Sequence, residues 1–402
     1  MKIGILRENK VPHDFRVPFT PEQANEVKQK FNVDVIVQPS PIRCFDDSEY
    51  QAQGIEVRED VSDCDILFGV KEVPVDDLIP NKTYVFFSHT IKKQEHNQKL
   101  MRALLDKNIT MIDYEVLVGP NGQRLTAFGR EAGIVGAYNA LKVYGKRNGL
   151  FDIPLAHTLK DVNHLYDVVS NLPTLDINVM NTGAGGRVSG GVVSVLEKTS
   201  LKSVSAQEYL SNGKTQKGMF VALSPKDYIK RIDNSEMVET EFFADPSGFE
   251  SNFLPYAEVS DIYVSGHFWD RRSSVFFDMN DIADKDKFPI EIISDVSCDL
   301  PGPIPTTLRE TKLDNISYDV SRQTFNEEPV FNNKDNITIT AVDNLPSSIP
   351  RDASSNFGAS LINEMLEYYM GNDDGRIEKG TICKNGKLTP TFAYLQDYAD
   401  GK

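Results

Sequence analysis

The chain predicts an α/β fold in two domains built on parallel sheets, and three observations carry the prediction. Short apolar runs of strand length alternate with helix-patterned segments, the signature of strands joined by helical crossovers. The 402 residues exceed one ordinary core and suit two domains of roughly 100–200 residues each. In mid-chain an apolar strand runs straight into a glycine-rich turn and a helical pattern, as at the start of a nucleotide-binding unit.

The elements follow in order. Met1–Leu6 reads as a strand. Thr20-Pro21-Glu22-Gln23 starts a helix: Thr20 is the cap, Pro21 stands at the first helical position and Gln23 completes a capping box. Strands are expected at Val33–Gln38, Ile66–Val70, Thr83–Ser88 and Thr110–Asp113, with helical periodicity over Gln94–Asp106. Gly129–Lys146 reads as a long helix with small residues on one face, Gly133, Gly136, Ala137 and Ala140, and leads towards the second domain. That domain opens with a strand at Asp176–Asn181, then the run Thr182 to Gly191, a helical pattern at Val192–Lys198 and a further strand at Leu201–Ser205. The polar, acidic stretch from about 211 to 252 reads as an insertion outside the core. Strands at Asp261–Val264, Glu291–Asp295 and Ile337–Val342 precede a strong helix at Ala353–Met370, and a polar tail follows Gly371. The expected domains are residues 1–135 with 330–402, and residues 136–329.

Charge and cysteines exclude some function classes. A formal net charge of −16 repels nucleic acid and anionic lipid unless a local basic patch offsets it, and no Lys/Arg run does. An anionic substrate must then be met by a few placed cations. The longest apolar stretches are far too short to span a bilayer, and the N-terminus reads as a strand, not as a signal peptide. The four cysteines form no CxxC and no metal-like spacing with the six histidines, so the expectation is reduced thiols, a cytoplasmic location and no metal.

The glycine run is the first chemical signal. A strand ending in Gly183-Ala184-Gly185-Gly186-Arg187 and entering a helix points backbone N–H groups and the helix field at a pyrophosphate. The spacing departs from the strict dinucleotide fingerprint, and a tight strand–helix turn is the competing reading. The acidic residue that commonly binds the ribose 2′-hydroxyl belongs some 20 residues downstream, at the end of the second strand. Ser205 stands there, with Lys202 nearby, and an absent carboxylate leans towards NADP. The second signal is Arg16, Lys71, His89, Lys92 and Arg124. Lys71 and His89 each follow a strand, and the carboxyl ends of such strands line ligand crevices. The competing reading of each alone is a solvated surface charge. Asp295, at the end of another strand, is a further candidate, with a turn-forming role as its alternative.

Taken together, these residues resemble the saccharopine dehydrogenase (L-lysine-forming) family, and especially its lysine–2-oxoglutarate reductase branch, within the alanine dehydrogenase–transhydrogenase superfamily. The resemblance is carried by Arg16-Val17-Pro18, Gly69-Val70-Lys71-Glu72-Val73-Pro74, Phe86-Phe87-Ser88-His89-Thr90-Ile91-Lys92, Ile112-Asp113-Tyr114-Glu115, Ala127-Phe128-Gly129, Ser294-Asp295-Val296-Ser297-Cys298-Asp299 and Asp343-Asn344-Leu345-Pro346. It implies two Rossmann-like domains around a central cleft, one of them completed by a returning C-terminal helix. It also implies an NAD(P)-dependent oxidoreductase that condenses L-lysine with 2-oxoglutarate to saccharopine, or the reverse. Lys71 and His89 fall on the family's acid–base pair. Arg16, Lys92, Gln94, Arg124 and Phe128 fall on the substrate side. Gly183, Gly185, Gly186, Arg187, Ser205, Gly266, Asp295, Val296 and Ser297 fall on the cofactor side. The expected partners are small molecules, with no nucleic acid and no membrane, and the reading is compatible with a homo-oligomer. An alanine dehydrogenase-type enzyme is the alternative, and a non-catalytic dinucleotide-binding sensor is an alternative of another class.

Overall fold

The computed structural model describes residues 1–11 and 13–402. The chain folds into two α/β units, residues 1–128 with 350–402, and residues 129–349. Both boundaries differ from the expected 135/136 and 329/330. Helix Gly129–Asn148 packs on the second unit, its first turns against helix Arg187–Leu196, which carries residues 129–135 into that unit. Residues 330–349 belong there because Ile337–Thr340 is a strand of its sheet.

The first unit has an eight-stranded sheet. Six strands are parallel, in the spatial order Thr110–Asp113, Thr83–Phe86, Ile66–Phe68, Lys2–Ile5, Asp34–Val37 and Glu56–Val57. The expected helix start at Thr20 is present with both capping-box bonds, and its helix runs Pro21–Phe31. The tail after Gly371, expected to be merely polar, instead adds strands Thr381–Lys384 and Lys387–Leu388, antiparallel, to the free edge of Thr110–Asp113. It buries Ile382, Cys383, Phe392 and Leu395 in the core of the unit. The expected long helix is Pro350–Leu361 continued through a π-helical turn to Glu367–Met370.

The second unit has its own eight-stranded sheet, in the order Glu327–Glu328, Tyr318–Val320, Ile337–Thr340, Ile292–Asp295, Ile262–Ser265, Asn178–Thr182, Met219–Leu223 and Lys202–Ser203. The last six are parallel, and the first two are antiparallel additions. The insertion expected over 211–252 is therefore corrected. Met219–Leu223 is a buried interior strand, five residues long, with polar sequence on both sides. A five-residue apolar run gives too little periodicity to stand out from such flanks. The excursion proper begins at Pro225 and holds a hairpin of Ile229–Arg231 with Phe249–Ser251.

Candidate functional site

Lys71 and His89 lie just beyond two adjacent parallel strands of the first unit. Ile66–Phe68 and Thr83–Phe86 are paired, and the pairing continues past their ends, where Gly69 N–H donates to the Val85 carbonyl and Phe87 N–H to the Val70 carbonyl, both at 3.0 Å. The next residues of both strands are thus delivered to the same carboxyl edge. His89 takes a left-handed backbone, φ 51°, and its ring stacks on Phe87 with centroids 6.1 Å apart.

Glu72, which the motif contains but the residue-by-residue reading left without a role, follows Lys71 in the chain and binds His89. Its carboxylate is 2.6 Å from His89 Nδ1 and 2.6 Å from the Lys10 ammonium. Burial works to raise the Glu72 pKa, but His89 and Lys10 outweigh it and hold the group down at about 2. With an ionised acceptor on Nδ1, that nitrogen carries the proton, and Nε2 is left for exchange with a ligand. Lys71 is partly buried, and its pKa is lowered, first by burial and then by the Arg16 charge, with Lys10 adding to the effect. Lys92 is exposed and pairs with Glu115 at 3.2 Å.

A layer of buried carboxyls underlies this edge. Glu8 accepts the Val70 and Lys71 N–H groups at 2.7 and 2.9 Å, and so fixes the backbone that carries Lys71. Burial, with the Asp14 charge, pushes the Glu8 pKa up to about 8. Arg16 is 2% exposed and grips Asp14 through Nε at 2.9 Å and Nη2 at 2.5 Å. Burial alone would raise the Asp14 pKa, but Arg16 holds it well below the usual carboxylate range. One edge of the Arg16 fork is thus committed to Asp14. An aromatic cluster forms the floor. Phe128 stacks on Phe357 of the returning helix at 4.4 Å, and Phe87 and Tyr114 pack against the same ring. The guanidinium of Arg16 lies 4.0 Å from the Phe128 centroid and that of Arg124 5.3 Å from the Phe87 centroid, within cation–π range. Gln94 is exposed, and its backbone carbonyl accepts the Tyr398 hydroxyl at 2.5 Å.

In the second unit the glycine turn has the form a pyrophosphate needs. Gly183 and Gly185 have φ of 88° and 85°. A side chain at Gly183 would strike the Gly266 carbonyl, whereas a Cβ on Gly185 would meet nothing within 4 Å, an open place where a ligand can approach the backbone. Helix Arg187–Leu196 begins at Gly186 with no side-chain cap. An uncapped ten-residue helix facing an open glycine turn fits a dinucleotide phosphate. Asp295 is 1% exposed, and all its bonds turn inward. It accepts Ser265 Oγ at 2.9 Å, Ser297 N and Oγ at 3.0 and 2.8 Å, and Thr307 Oγ1 at 2.7 Å. It shapes the loop holding Val296 and Ser297, so its turn-forming alternative describes its bonds.

Ser205 is not where the ribose reading needs it. It caps helix Ala206–Asn212, accepting from Glu208 N–H at 3.1 Å, beside the two-residue strand Lys202–Ser203 at the sheet margin. Met219–Leu223 separates that strand from the glycine-loop strand. The strand second in chain order is not the neighbour in space. Among the described residues no cluster of His, Cys, Asp and Glu could hold a metal, and no helix is long and apolar enough to cross a membrane.

Residues 4–135 match the model of the alanine dehydrogenase/PNT N-terminal domain. The chain is 25% identical to the alpha-aminoadipic semialdehyde synthase of Arabidopsis thaliana over 98% of its own length and 41% of the relative's. It is 25% identical to the mitochondrial alpha-aminoadipic semialdehyde synthase of Mus musculus, over 100% of this chain and 48% of that one. It thus spans about half the length of these curated relatives. The saccharopine dehydrogenase [NAD(+), L-lysine-forming] of Neurospora crassa is 25% identical, with 83% of this chain and 82% of the relative covered. A solved L-alanine dehydrogenase has the same fold, with a TM-score of 0.66 and 16% identity over 100% of this chain and 99% of that one. The transhydrogenase from Sinorhizobium meliloti shares it too, with a TM-score of 0.57 and 12% identity over 98% and 100%. These matches support the resemblance to the saccharopine dehydrogenase (L-lysine-forming) family and to the alanine dehydrogenase–transhydrogenase superfamily.

Proposed function

We propose that the chain is a nicotinamide-dependent oxidoreductase of the saccharopine dehydrogenase type. It joins the ε-amine of L-lysine to the oxo carbon of 2-oxoglutarate and reduces the imine to saccharopine, or runs the reverse. The observation that carries this reading is the Lys71–Glu72–His89 arrangement. Two proton-transfer groups share one sheet edge, one with a lowered ammonium pKa and the other with its tautomer set by a buried carboxylate.

The residues suit the steps. The attacking ε-amine must be neutral, and Lys71, with its lowered pKa, can accept its proton closer to neutrality than an ordinary lysine. The amine forms the C–N bond and the oxo oxygen gains a proton. Loss of water then needs an acid, and His89 Nε2 can donate when the ring is doubly protonated. Gly183, Gly185, Gly186 and the uncapped helix would hold the dinucleotide, which would supply the hydride, and the nitrogen of the reduced imine gains the last proton. Carboxylates on the substrates call for cations within a chain of net charge −16, and Arg16 and Arg124 are the candidates. Four unbridged cysteines suit a reducing compartment such as the cytoplasm.

Purified protein should consume reduced dinucleotide only when lysine and 2-oxoglutarate are both present. Turnover with pyruvate and ammonia instead would make it an alanine dehydrogenase-type enzyme. Dinucleotide binding without turnover across a broad amine and oxo-acid screen would leave a binding protein. Lys71→Met and His89→Gln should each cut turnover by ~10²–10⁴-fold with the dinucleotide dissociation constant nearly unchanged.

A further inference from the structure

The strand order that removes Ser205 from the ribose position also supplies its replacement. In a doubly wound nucleotide fold, the residue that discriminates at the ribose 2′ position stands at the carboxyl end of the strand flanking the glycine-loop strand. Here that strand is Met219–Leu223, paired with Asn178–Thr182 along all five residues. Its last carbonyl, of Leu223, accepts the N–H groups of Gly183 and Ala184, both at 2.9 Å. Ser224-Pro225-Lys226-Asp227 therefore begins one peptide away from the glycine turn.

The charges at this tip favour a phosphate. Ser224 occupies the strand-end position at which a carboxylate accepts the ribose hydroxyl in NAD-selective folds. The nearest carboxylate, Asp227, is turned back on its own segment, where its Oδ2 accepts Ser224 N–H at 2.8 Å and Ser224 Oγ–H at 2.7 Å. The neighbouring cations are engaged: Lys230 pairs with Glu250, and Arg231 with Glu241 and Asp233. Lys226 is exposed and has no hydrogen-bond or ion-pair partner among the described residues. A lysine meets a phosphate as a compact point charge and needs no fixed fork geometry to do so.

We propose that Lys226 binds the 2′-phosphate of NADPH and that Ser224 leaves room for it, which makes the tip of Met219–Leu223 the cofactor-selecting element. This inference rests on the dinucleotide reading above.

The test is binding, on the full chain. Dissociation constants are measured for NADPH and NADH, and for adenosine 2′,5′-bisphosphate against adenosine 5′-monophosphate. Wild-type protein should bind the 2′-phosphorylated member of each pair more tightly. Lys226→Glu should weaken NADPH and the bisphosphate about tenfold or more, a change of ~1.4 kcal/mol or more, while NADH and the monophosphate stay within roughly twofold. Ser205→Asp and Lys202→Glu should change neither pair. The proposal is overturned if Lys226→Glu affects both members of a pair alike or not at all. It is also overturned if Ser205→Asp abolishes discrimination. A wild-type preference for NADH that Asp227→Asn removes would overturn it in favour of Asp227 as the ribose acceptor. Failure of the wild type to bind either dinucleotide would overturn the functional reading itself.

Discussion

Buried charge dominates at the scale of single residues. Arg16 and Asp14 are both almost wholly enclosed, and removing one partner of such a pair leaves the other desolvated and uncompensated, at a cost of ~3–5 kcal/mol. Arg16→Ala should therefore lower the melting temperature sharply as well as raise the Michaelis constant for an anionic substrate. Arg16→Lys, which keeps the charge but loses the fork, should recover part of the stability; a normal melting temperature for Arg16→Ala would show the pair to be incidental. Glu8 gives a second prediction, in pH. Its folded pKa is raised from 4.5 to about 8, so between those values the folded state holds a proton that the unfolded state releases. Stability from this group is complete below pH 4.5 and falls as pH rises towards 8, by at most ~1.4 kcal/mol per unit. Denaturant titrations of Glu8→Gln against wild type should show the difference in slope across that range, and parallel curves would remove Glu8 as its source. Lys71 and His89 could be picked out from sequence because strand-end polar groups stand out against apolar runs. Glu8, Asp14 and Glu72 could not, because an acidic residue among fifty-nine gives no sign of burial until the fold encloses it.

Elements in the second unit are set by backbone approach. Helices Gly129–Asn148 and Arg187–Leu196 touch through glycine on both sides: a Cβ at Gly133 would lie 1.9 Å from the Val188 carbonyl oxygen, and one at Gly191 2.0 Å from that of Arg130. No rotamer relieves a contact with backbone, so the helices would have to part. Because Arg187–Leu196 is also the helix whose start faces the glycine turn, the displacement should reach the pyrophosphate position. Gly133→Ala is therefore expected to lower thermal stability and dinucleotide affinity together. A variant that melts like wild type and binds like wild type would contradict this packing account. The small-residue face of the long helix was legible in the sequence, as were the capping box at Thr20 and ten of the parallel strands. The two-residue strands Glu56–Val57, Glu327–Glu328 and Lys387–Leu388 were not, nor was Met219–Leu223, since pairing with a neighbour, more than any pattern of their own, defines them. Strand order was the largest loss: periodicity finds strands but does not say which lie side by side, and the Ser205 reading failed for that reason.

On the scale of the whole chain, the second unit is continuous and the first is not. Residues 129–349 complete one sheet, whereas the sheet and core of residues 1–128 are finished only by residues 350–402. The returning segment contributes Phe357 to the aromatic floor, a hydrogen bond from Val17 N–H to Ser354 Oγ at 2.9 Å, and the strands that cover Thr110–Asp113. Removing residues 381–402 would strip Ile382, Cys383, Phe392 and Leu395 from the core, at ~1.5–3 kcal/mol for each large apolar side chain, and would open a sheet edge to association. The truncated protein should lose the first unit's cooperative unfolding transition in calorimetry, along with all turnover. The second unit contains no residue of the deleted segment, so dinucleotide binding followed by fluorescence should survive with a dissociation constant near that of the full chain. Retained turnover would mean that the terminal strands are an accessory to the first unit. Loss of dinucleotide binding would mean that the second unit does not hold its glycine turn without them.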